Sequence, residues 1–133
     1  MFDNIHSELK HKAQEARSMA YAPYSNFRVG CALVTTDGTW YTGCNVENAS
    51  YGGCICAERT AIVKAVSEGH KTFKYIGVIT DLKEPCTPCG ICRQFIREFG
   101  KDTIIYCFGE TDTLIKTLDE LLPHSFGPEH LGK

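Results

Sequence analysis

The chain has 133 residues, 43% of them hydrophobic, which fits one ordinary globular domain with a single core. Its formal net charge is −2, and its basic residues are spread along the chain, so a basic surface for nucleic acid is disfavoured. No apolar run is long enough to span a bilayer, and residues 1–12 contain no signal-peptide core. We therefore expect one domain over residues 1–133, in the cytoplasm, with no nucleic-acid or membrane partner.

The first half of the chain predicts a helix followed by a β-hairpin. Residues 2–20 carry apolar side chains at helical spacing with charged ones between them, and Pro23 then ends that helix. Residues 28–36 are rich in β-branched and small apolar side chains. Asp37-Gly38 is a strong turn signal before a return strand over residues 40–44. These two strands should be antiparallel neighbours.

The second half of the chain predicts helices that alternate with strands. After an irregular stretch, the expected elements are a helix over 56–68, a strand over 73–80, a helix over 89–99, a strand over 103–108 and a helix over 111–122. A polar tail follows from about residue 123 to residue 133. Alternation of this kind implies βαβ crossovers. We therefore expect an α/β fold, a three-layer α/β/α sandwich around a mixed sheet.

Cysteines and one carboxylate gather at the starts of two of the predicted helices. Cys56 opens one helix, and Cys89 and Cys92 lie three residues apart, on one face of the first turn of the other. The positive end of a helix dipole favours thiolates there. Three thiolates leave the fourth tetrahedral position of zinc open to water. Glu58, two residues after Cys56, suits proton transfer beside such a water, so this pattern predicts a catalytic zinc site.

The spacing alone leaves other interpretations of the eight cysteines open. A closed Cys₄ zinc site could use Cys54 or Cys86 as its fourth ligand, and the chain would then be a zinc-stabilised binding module without catalysis. Glu58 could serve only to complement the helix dipole. A disulfide framework is a further alternative, which the metal-like spacing and the lack of a secretion signal disfavour.

Several motifs together indicate a family. A ligand-x-Glu sequence followed by Pro-Cys-x-x-Cys is the signature of the zinc deaminases, and Cys56-Ala57-Glu58 and Pro88-Cys89-Gly90-Ile91-Cys92 match it. Further matching stretches follow the same order along nearly the whole chain: Ala22-Pro23-Tyr24-Ser25-Asn26-Phe27, Gly43-Cys44-Asn45-Val46-Glu47-Asn48-Ala49 and Leu121-Leu122-Pro123 before Phe126. The chain therefore resembles the cytidine and deoxycytidylate deaminase superfamily, and within it the small homotetrameric cytidine deaminases with three cysteine ligands.

This resemblance implies a five-stranded mixed sheet and a reaction. The reaction is hydrolysis of cytidine and deoxycytidine to uridine and deoxyuridine with release of ammonia, as in pyrimidine salvage. Glu58 would carry the proton from water to N3 of the base, and the Ala57 N–H would contact the base O2. Arg59 would donate hydrogen bonds to the zinc thiolates. One zinc ion per subunit would be bound by Cys56, Cys89 and Cys92.

The resemblance also implies where the rest of the substrate binds. Asn45 and Glu47, which point the same way in an extended chain, would hold the ribose hydroxyl. Phe27 would pack against the base ring. Tyr51 lies in a stretch that the family uses around the active site and its subunit contacts. Phe126 could reach a neighbouring subunit's site in a homotetramer.

Overall fold

The computed structural model describes residues 2–133 as an α/β structure of four helices and five strands. The helices are α1 (Phe2–Arg17), α2 (Ala57–Ser67), α3 (Gly90–Arg97) and α4 (Leu118–Leu121). The strands are β1 (Gly30–Thr35), β2 (Trp40–Cys44), β3 (Phe73–Ile79), β4 (Ile104–Phe108) and β5 (Thr113–Thr117). Short 3₁₀ turns cover Tyr51–Gly53 and Pro128–Leu131. Within the described residues, no helix has the length and apolarity to cross a membrane.

The five strands form one mixed sheet in the order β2-β1-β3-β4-β5. The pairs β2–β1, β1–β3 and β4–β5 are antiparallel, whereas β3 and β4 are parallel. The β1–β2 hairpin closes at Gly38, whose φ of 94° lies in the region that favours glycine. The parallel pair requires a crossover connection, and α3 supplies it between β3 and β4.

Side chains that alternate along the strands build a core on each face of the sheet. One face packs against α1, whose Leu9 and Ala13 are fully buried beside Ala32, Tyr106 and Phe108. The opposite face packs against α2, α3 and α4, and its fully buried members include Cys31, Leu33, Ala61, Ile62, Ile96, Ile105, Cys107 and Leu118. The expected three-layer α/β/α arrangement is confirmed.

Two glycines let the helices approach the sheet closely. A Cβ on Gly30 of β1 would lie 2.0 Å from the carbonyl oxygen of Ala13 in α1. A Cβ on Gly43 of β2 would lie 2.6 Å from the backbone nitrogen of Ala61 in α2. Since both contacts are with backbone atoms, a side chain at either position would force the helix away from the sheet.

Most of the elements expected from the sequence are present, but the prediction of one helix is wrong. The helix expected over residues 111–122 is instead strand β5 followed by the single-turn helix α4. Residues 113–117 pair with β4 from Ile104↔Thr117 to Phe108↔Thr113, so this segment becomes the fifth strand at the edge of the sheet. The apolar side chains that fit a helical period belong partly to that strand and partly to α4 and the residues after it.

Candidate metal centre and active site

Three thiol groups converge where two helices begin. Cys56 is the N-cap of α2 and Cys89 is the N-cap of α3, while Cys92 is buried in the first turn of α3. Both caps have extended backbone conformations, and their carbonyls accept the first helical hydrogen bonds, from Thr60 N–H at 3.0 Å and Arg93 N–H at 2.9 Å. The three Sγ atoms lie within 4.8 Å of one another.

The spacing of these sulfur atoms suits zinc. Tetrahedral zinc with bonds of about 2.3 Å to thiolate sulfur spaces its sulfur ligands about 3.8 Å apart, and the Sγ atoms of Cys56 and Cys89 are 3.8 Å apart. Among the described residues, the group that could hold a metal consists of three cysteines and does not include Cys54 or Cys86. The Cys54 sulfur instead contacts the N–H and carbonyl of Asn48. All eight cysteines lie within the described residues and are free thiols, so no two of them form a disulfide there.

Burial and hydrogen bonding shift the pKa values of Cys56 and Cys92 in opposite directions. Hydrogen bonds from the Cys92 thiol, from Arg59 and from the Cys89 thiol lower the pKa of Cys56 to about 5. Donating to Cys56, together with burial, raises the pKa of Cys92. The Nη2 atom of Arg59 lies 3.5 Å from the Cys56 sulfur and 3.5 Å from the Cys54 carbonyl. A guanidinium at this distance is able to offset negative charge on the thiol group.

The carboxyl group of Glu58 is buried beside the thiols. Glu58 lies in the first turn of α2 and is only 4% exposed. Burial, and secondarily the charge of Cys56, raises the pKa of Glu58 to about 7. A carboxyl group that takes up and releases a proton near neutral pH is suited to general acid–base catalysis.

Two of the three thiols and Glu58 line a cavity of about 380 Å³. Besides Cys56, Cys89 and Glu58, the residues that line it are Ser25, Phe27, Val29, Asn45, Glu47, Cys54, Ile55, Val78, Thr80, Cys86 and Thr87. A cavity of this size, mostly apolar with a few convergent polar groups, is typical of a small-molecule site.

The side chain of Asn45 forms hydrogen bonds with the backbone of two other residues that line the cavity. Its Oδ1 accepts a hydrogen bond from the Val29 N–H at 2.9 Å, and its Nδ2 donates to the Phe27 carbonyl at 2.9 Å. A carboxamide has two donors and two acceptor positions, so each end of Asn45 keeps one further position. The side chain fixes the segment that carries Phe27 and can still contact a ligand.

Glu47 receives several hydrogen bonds from the turn that precedes Phe27. Its Oε1 accepts from the N–H groups of Tyr24 at 3.0 Å and Ser25 at 3.1 Å, and its Oε2 accepts from the Ser25 hydroxyl. These bonds, the Ser25 hydroxyl first among them, lower the pKa of Glu47 below its usual value. Glu47 is thus an ionised carboxylate in the cavity wall.

The remaining predicted positions have different surroundings. Ala57 is fully buried at the start of α2. Tyr51 is 73% exposed and packs edge-on against Tyr24, and Phe126 is 56% exposed and stacks on His130. Neither aromatic ring lines the cavity of its own chain.

Sequence reasoning missed some residues of the cavity wall. Ser25 was visible only as part of a matching stretch, and its contacts with Glu47 could not be foreseen. Thr80 and Thr87 flank the loop between β3 and α3, and nothing in their sequence context distinguishes them from ordinary loop residues.

Comparisons with known proteins agree with this geometry. Residues 3–108 match the family described as the cytidine and deoxycytidylate deaminase zinc-binding region. A probable cytidine deaminase of Dictyostelium discoideum is 51% identical over 120 residues, which cover 90% of this chain and 82% of the relative. A cytidine deaminase of Sporosarcina psychrophila is 46% identical, with 91% and 90% covered.

Solved structures of cytidine deaminases superpose closely on this chain. The crystal structure of cytidine deaminase from Burkholderia pseudomallei superposes with a TM-score of 0.87 at 46% identity, covering 91% of this chain and 98% of that one. The cytidine deaminase structure from Mycobacterium tuberculosis superposes with a TM-score of 0.81 at 36% identity, covering 92% and 97%. The chain therefore belongs to the cytidine and deoxycytidylate deaminase family of enzymes.

Proposed function

We propose that this enzyme hydrolyses cytidine and deoxycytidine to uridine and deoxyuridine and releases ammonia. The observation that carries the proposal is the cavity of about 380 Å³, in which two members of the three-thiol group and the buried Glu58 share a lining with Phe27, Asn45 and Glu47. The names of the relatives support cytidine as the substrate. Such a reaction would serve pyrimidine salvage in the cytoplasm.

The metal that we assign to the thiol group is zinc, one per subunit, with Cys56, Cys89 and Cys92 as its ligands. The sulfur spacing and the purely thiol donor set support zinc. When bound, zinc supplies an activated water at its open position. The contact between Arg59 and the Cys56 sulfur stabilises the excess negative charge that three thiolates bring to one divalent ion.

Glu58 is the group that moves the proton. In this proposal its carboxylate accepts a proton from the attacking water and delivers it to N3 of the cytosine ring, and later helps ammonia to leave. Ala57 is the first residue of α2, where a backbone N–H has no helical acceptor. That N–H is therefore available to the O2 atom of the base.

Three further residues that line the cavity would bind the base ring and the sugar of the nucleoside. Phe27 lines the cavity and presents an apolar ring to the base. Asn45 and Glu47 keep free acceptor or donor positions for a sugar hydroxyl.

The charge of the cavity favours a nucleoside over a nucleotide. None of the cavity-lining residues in the described part of the chain carries a cationic side chain, whereas Glu47 and Glu58 both contribute carboxyl groups. A phosphate group would meet no guanidinium or ammonium partner there. The same reasoning disfavours a polynucleotide, whose binding needs basic surface.

We also propose that the enzyme is a homotetramer. Tyr51 and Phe126 are large, exposed and outside the cavity of their own chain, and exposed aromatic side chains are enriched at interfaces. In this proposal Phe126, and Tyr51 with it, contributes to the substrate site of a neighbouring subunit.

Turnover measured by ultraviolet absorbance on a zinc-quantified sample tests the proposal. We expect cytidine and deoxycytidine to be converted, cytidine 5′-monophosphate to react at least about 100-fold more slowly in kcat/KM, and a cytosine-containing oligonucleotide not to react. Light scattering on the same sample should give the mass of four subunits. Preferential turnover of the nucleotide or oligonucleotide would contradict the substrate assignment, and a one-subunit mass would contradict the tetramer.

A further inference from the structure

The Ser25 hydroxyl joins two parts of the proposed sugar and base site. It donates a hydrogen bond to Oε2 of Glu47 and accepts one from the Phe27 N–H at 3.0 Å. A single oxygen atom therefore links the carboxylate in the cavity wall to the backbone of the aromatic residue beside it. Ser25, Phe27 and Glu47 all line the cavity.

Backbone pairing fixes the position of Glu47 beside this turn independently of its side chain. The Tyr21 N–H donates to the Asn45 carbonyl at 3.0 Å, and the Glu47 N–H donates to the Tyr21 carbonyl at 2.8 Å. The turn itself closes through the Asn26 N–H and the Ala22 carbonyl at 3.0 Å. Since these bonds hold both backbones in place without the Ser25 hydroxyl, that hydroxyl is left to orient the Glu47 carboxylate and to accept the Phe27 N–H.

The hydrogen-bond count at Glu47 shows what that orientation leaves for a ligand. A carboxylate offers about four acceptor positions, two on each oxygen. Oε1 accepts from the two N–H groups of Tyr24 and Ser25, so its two positions are filled. Oε2 accepts from the Ser25 hydroxyl, so one position remains on that oxygen. The carboxylate can thus receive one further donor, which suits one hydroxyl group.

We propose that Ser25 is a positioning residue for substrate binding: it aims the last acceptor position of Glu47 at a sugar hydroxyl and holds the Phe27 backbone in register with it. This inference rests on the proposed function, because it takes a nucleoside as the ligand of the cavity. Ser25 acts through Glu47 and Phe27 and takes no part in the proton transfer.

Steady-state kinetics of Ser25→Ala test this role. Losing a hydrogen bond to a charged group should raise KM for cytidine about tenfold, while kcat stays within about twofold of the wild-type value. Ser25→Thr keeps the hydroxyl, and its KM should stay within about threefold of the wild type. Zinc content and thermal unfolding of the variants, measured on the same samples, show whether the fold is retained.

A double-mutant cycle shows whether the effect of Ser25→Ala on KM depends on Glu47. If Ser25 acts through Glu47, adding Ser25→Ala to Glu47→Gln should change KM by less than about twofold. An unchanged KM in Ser25→Ala, a loss confined to kcat, a failure of Ser25→Thr to restore KM, or additive effects in the cycle would each overturn the positioning role. Wild-type enzyme that neither converts cytidine nor binds uridine in calorimetry would overturn the proposed function as well, which separates the two failures.

Discussion

At the residue scale, two neighbouring side chains at the start of α2 have opposite electrostatic surroundings. Glu58 is buried where its charge is disfavoured, which raises its pKa to about 7. Arg59 lies partly buried against the Cys56 sulfur, where its charge is favoured, and its Nε is buried without a hydrogen-bond partner. The proposed enzyme uses the first as a proton carrier and the second as a counter-charge for the thiolates.

Replacing Glu58 by Gln separates catalysis from metal binding. Glutamine keeps the shape of the buried side chain but cannot accept the proton, so we expect kcat for cytidine to fall by about 10²–10⁴-fold with unchanged zinc content and unfolding temperature. Glu68→Gln is the matched control, because Glu68 is the exposed C-cap residue of the same helix and its Oε1, which accepts from the Tyr41 hydroxyl at 3.1 Å, remains an acceptor in glutamine. Turnover that survives Glu58→Gln would refute the mechanism, and loss of zinc in that variant would indicate a structural role.

The sequence predicts the chemical groups of the site better than it predicts their contacts. The three thiols and Glu58 follow from local spacing at helix starts, and the structure brings them together. Glu47 contacts Tyr24 and Ser25, which precede it by 23 and 22 positions in the chain. Asn45 contacts Phe27 and Val29, which precede it by 18 and 16 positions. Such contacts depend on how distant segments pair, and residue type and local periodicity carry no record of that pairing.

At the element scale, residues 113–117 show how tertiary pairing can override a helical pattern. Leu114, Ile115 and Leu118 fit a helical period, but residues 113–117 also include β-branched side chains that suit an extended chain. The unpaired edge of β4 supplies a ladder of backbone partners, and the segment joins it as β5. Helix α4 then begins at a capping box between Thr117 and Glu120. The helix prediction failed because local sequence cannot reveal an open sheet edge.

The close approach of β2 to α2 makes Gly43 a test of how the sheet positions the site. A Cβ there would lie 2.6–2.7 Å from backbone atoms of Ala61 and Ala57, so α2 must shift. We expect Gly43→Ala to lower the free energy of unfolding by about 1–3 kcal/mol, and to lower kcat/KM by about 10–100-fold because Cys56 and Glu58 move with the helix.

Gly52→Ala is the matched control for this change. Nothing lies within 4 Å of a Cβ at Gly52, so that variant should stay within about 0.5 kcal/mol of the wild type. Urea unfolding gives the stability of both variants, and cytidine turnover gives their activity. If Gly43→Ala had the stability and activity of the wild type, α2 could accommodate a side chain at residue 43, and the close approach of β2 to α2 would not be needed to position the site.

At the scale of the whole molecule, α3 connects the thiol group to the C-terminal tail. Cys89 and Cys92 lie at its start, and the buried guanidinium of Arg97 lies at its end. Arg97 donates to the Ser125 hydroxyl at 2.7 Å and forms an ion pair with Glu129. These contacts fix the tail on both sides of Phe126, whose carbonyl accepts a hydrogen bond from Gln94 at 2.9 Å. The tail is therefore held by the same helix that carries two of the thiols.

The ion pair between Arg97 and Glu129 predicts a pH dependence of stability. Arg97 lowers the pKa of Glu129 from 4.5 to about 2. Because the folded state has the lower pKa, its stabilisation is fully present above pH 4.5 and is lost as the pH falls from 4.5 toward 2. Glu129→Gln should therefore unfold at a lower temperature than the wild type near neutral pH, and this difference in unfolding temperature should shrink progressively as the pH falls from 4.5 toward 2.

Glu98→Gln is the control, because it removes an exposed carboxylate next to Arg97 in the sequence, and its unfolding temperature should show no comparable pH-dependent difference from the wild type. Thermal unfolding at a series of pH values measures both variants, and a difference that stays constant with pH would show that the tail is held by packing and not by this charge pair.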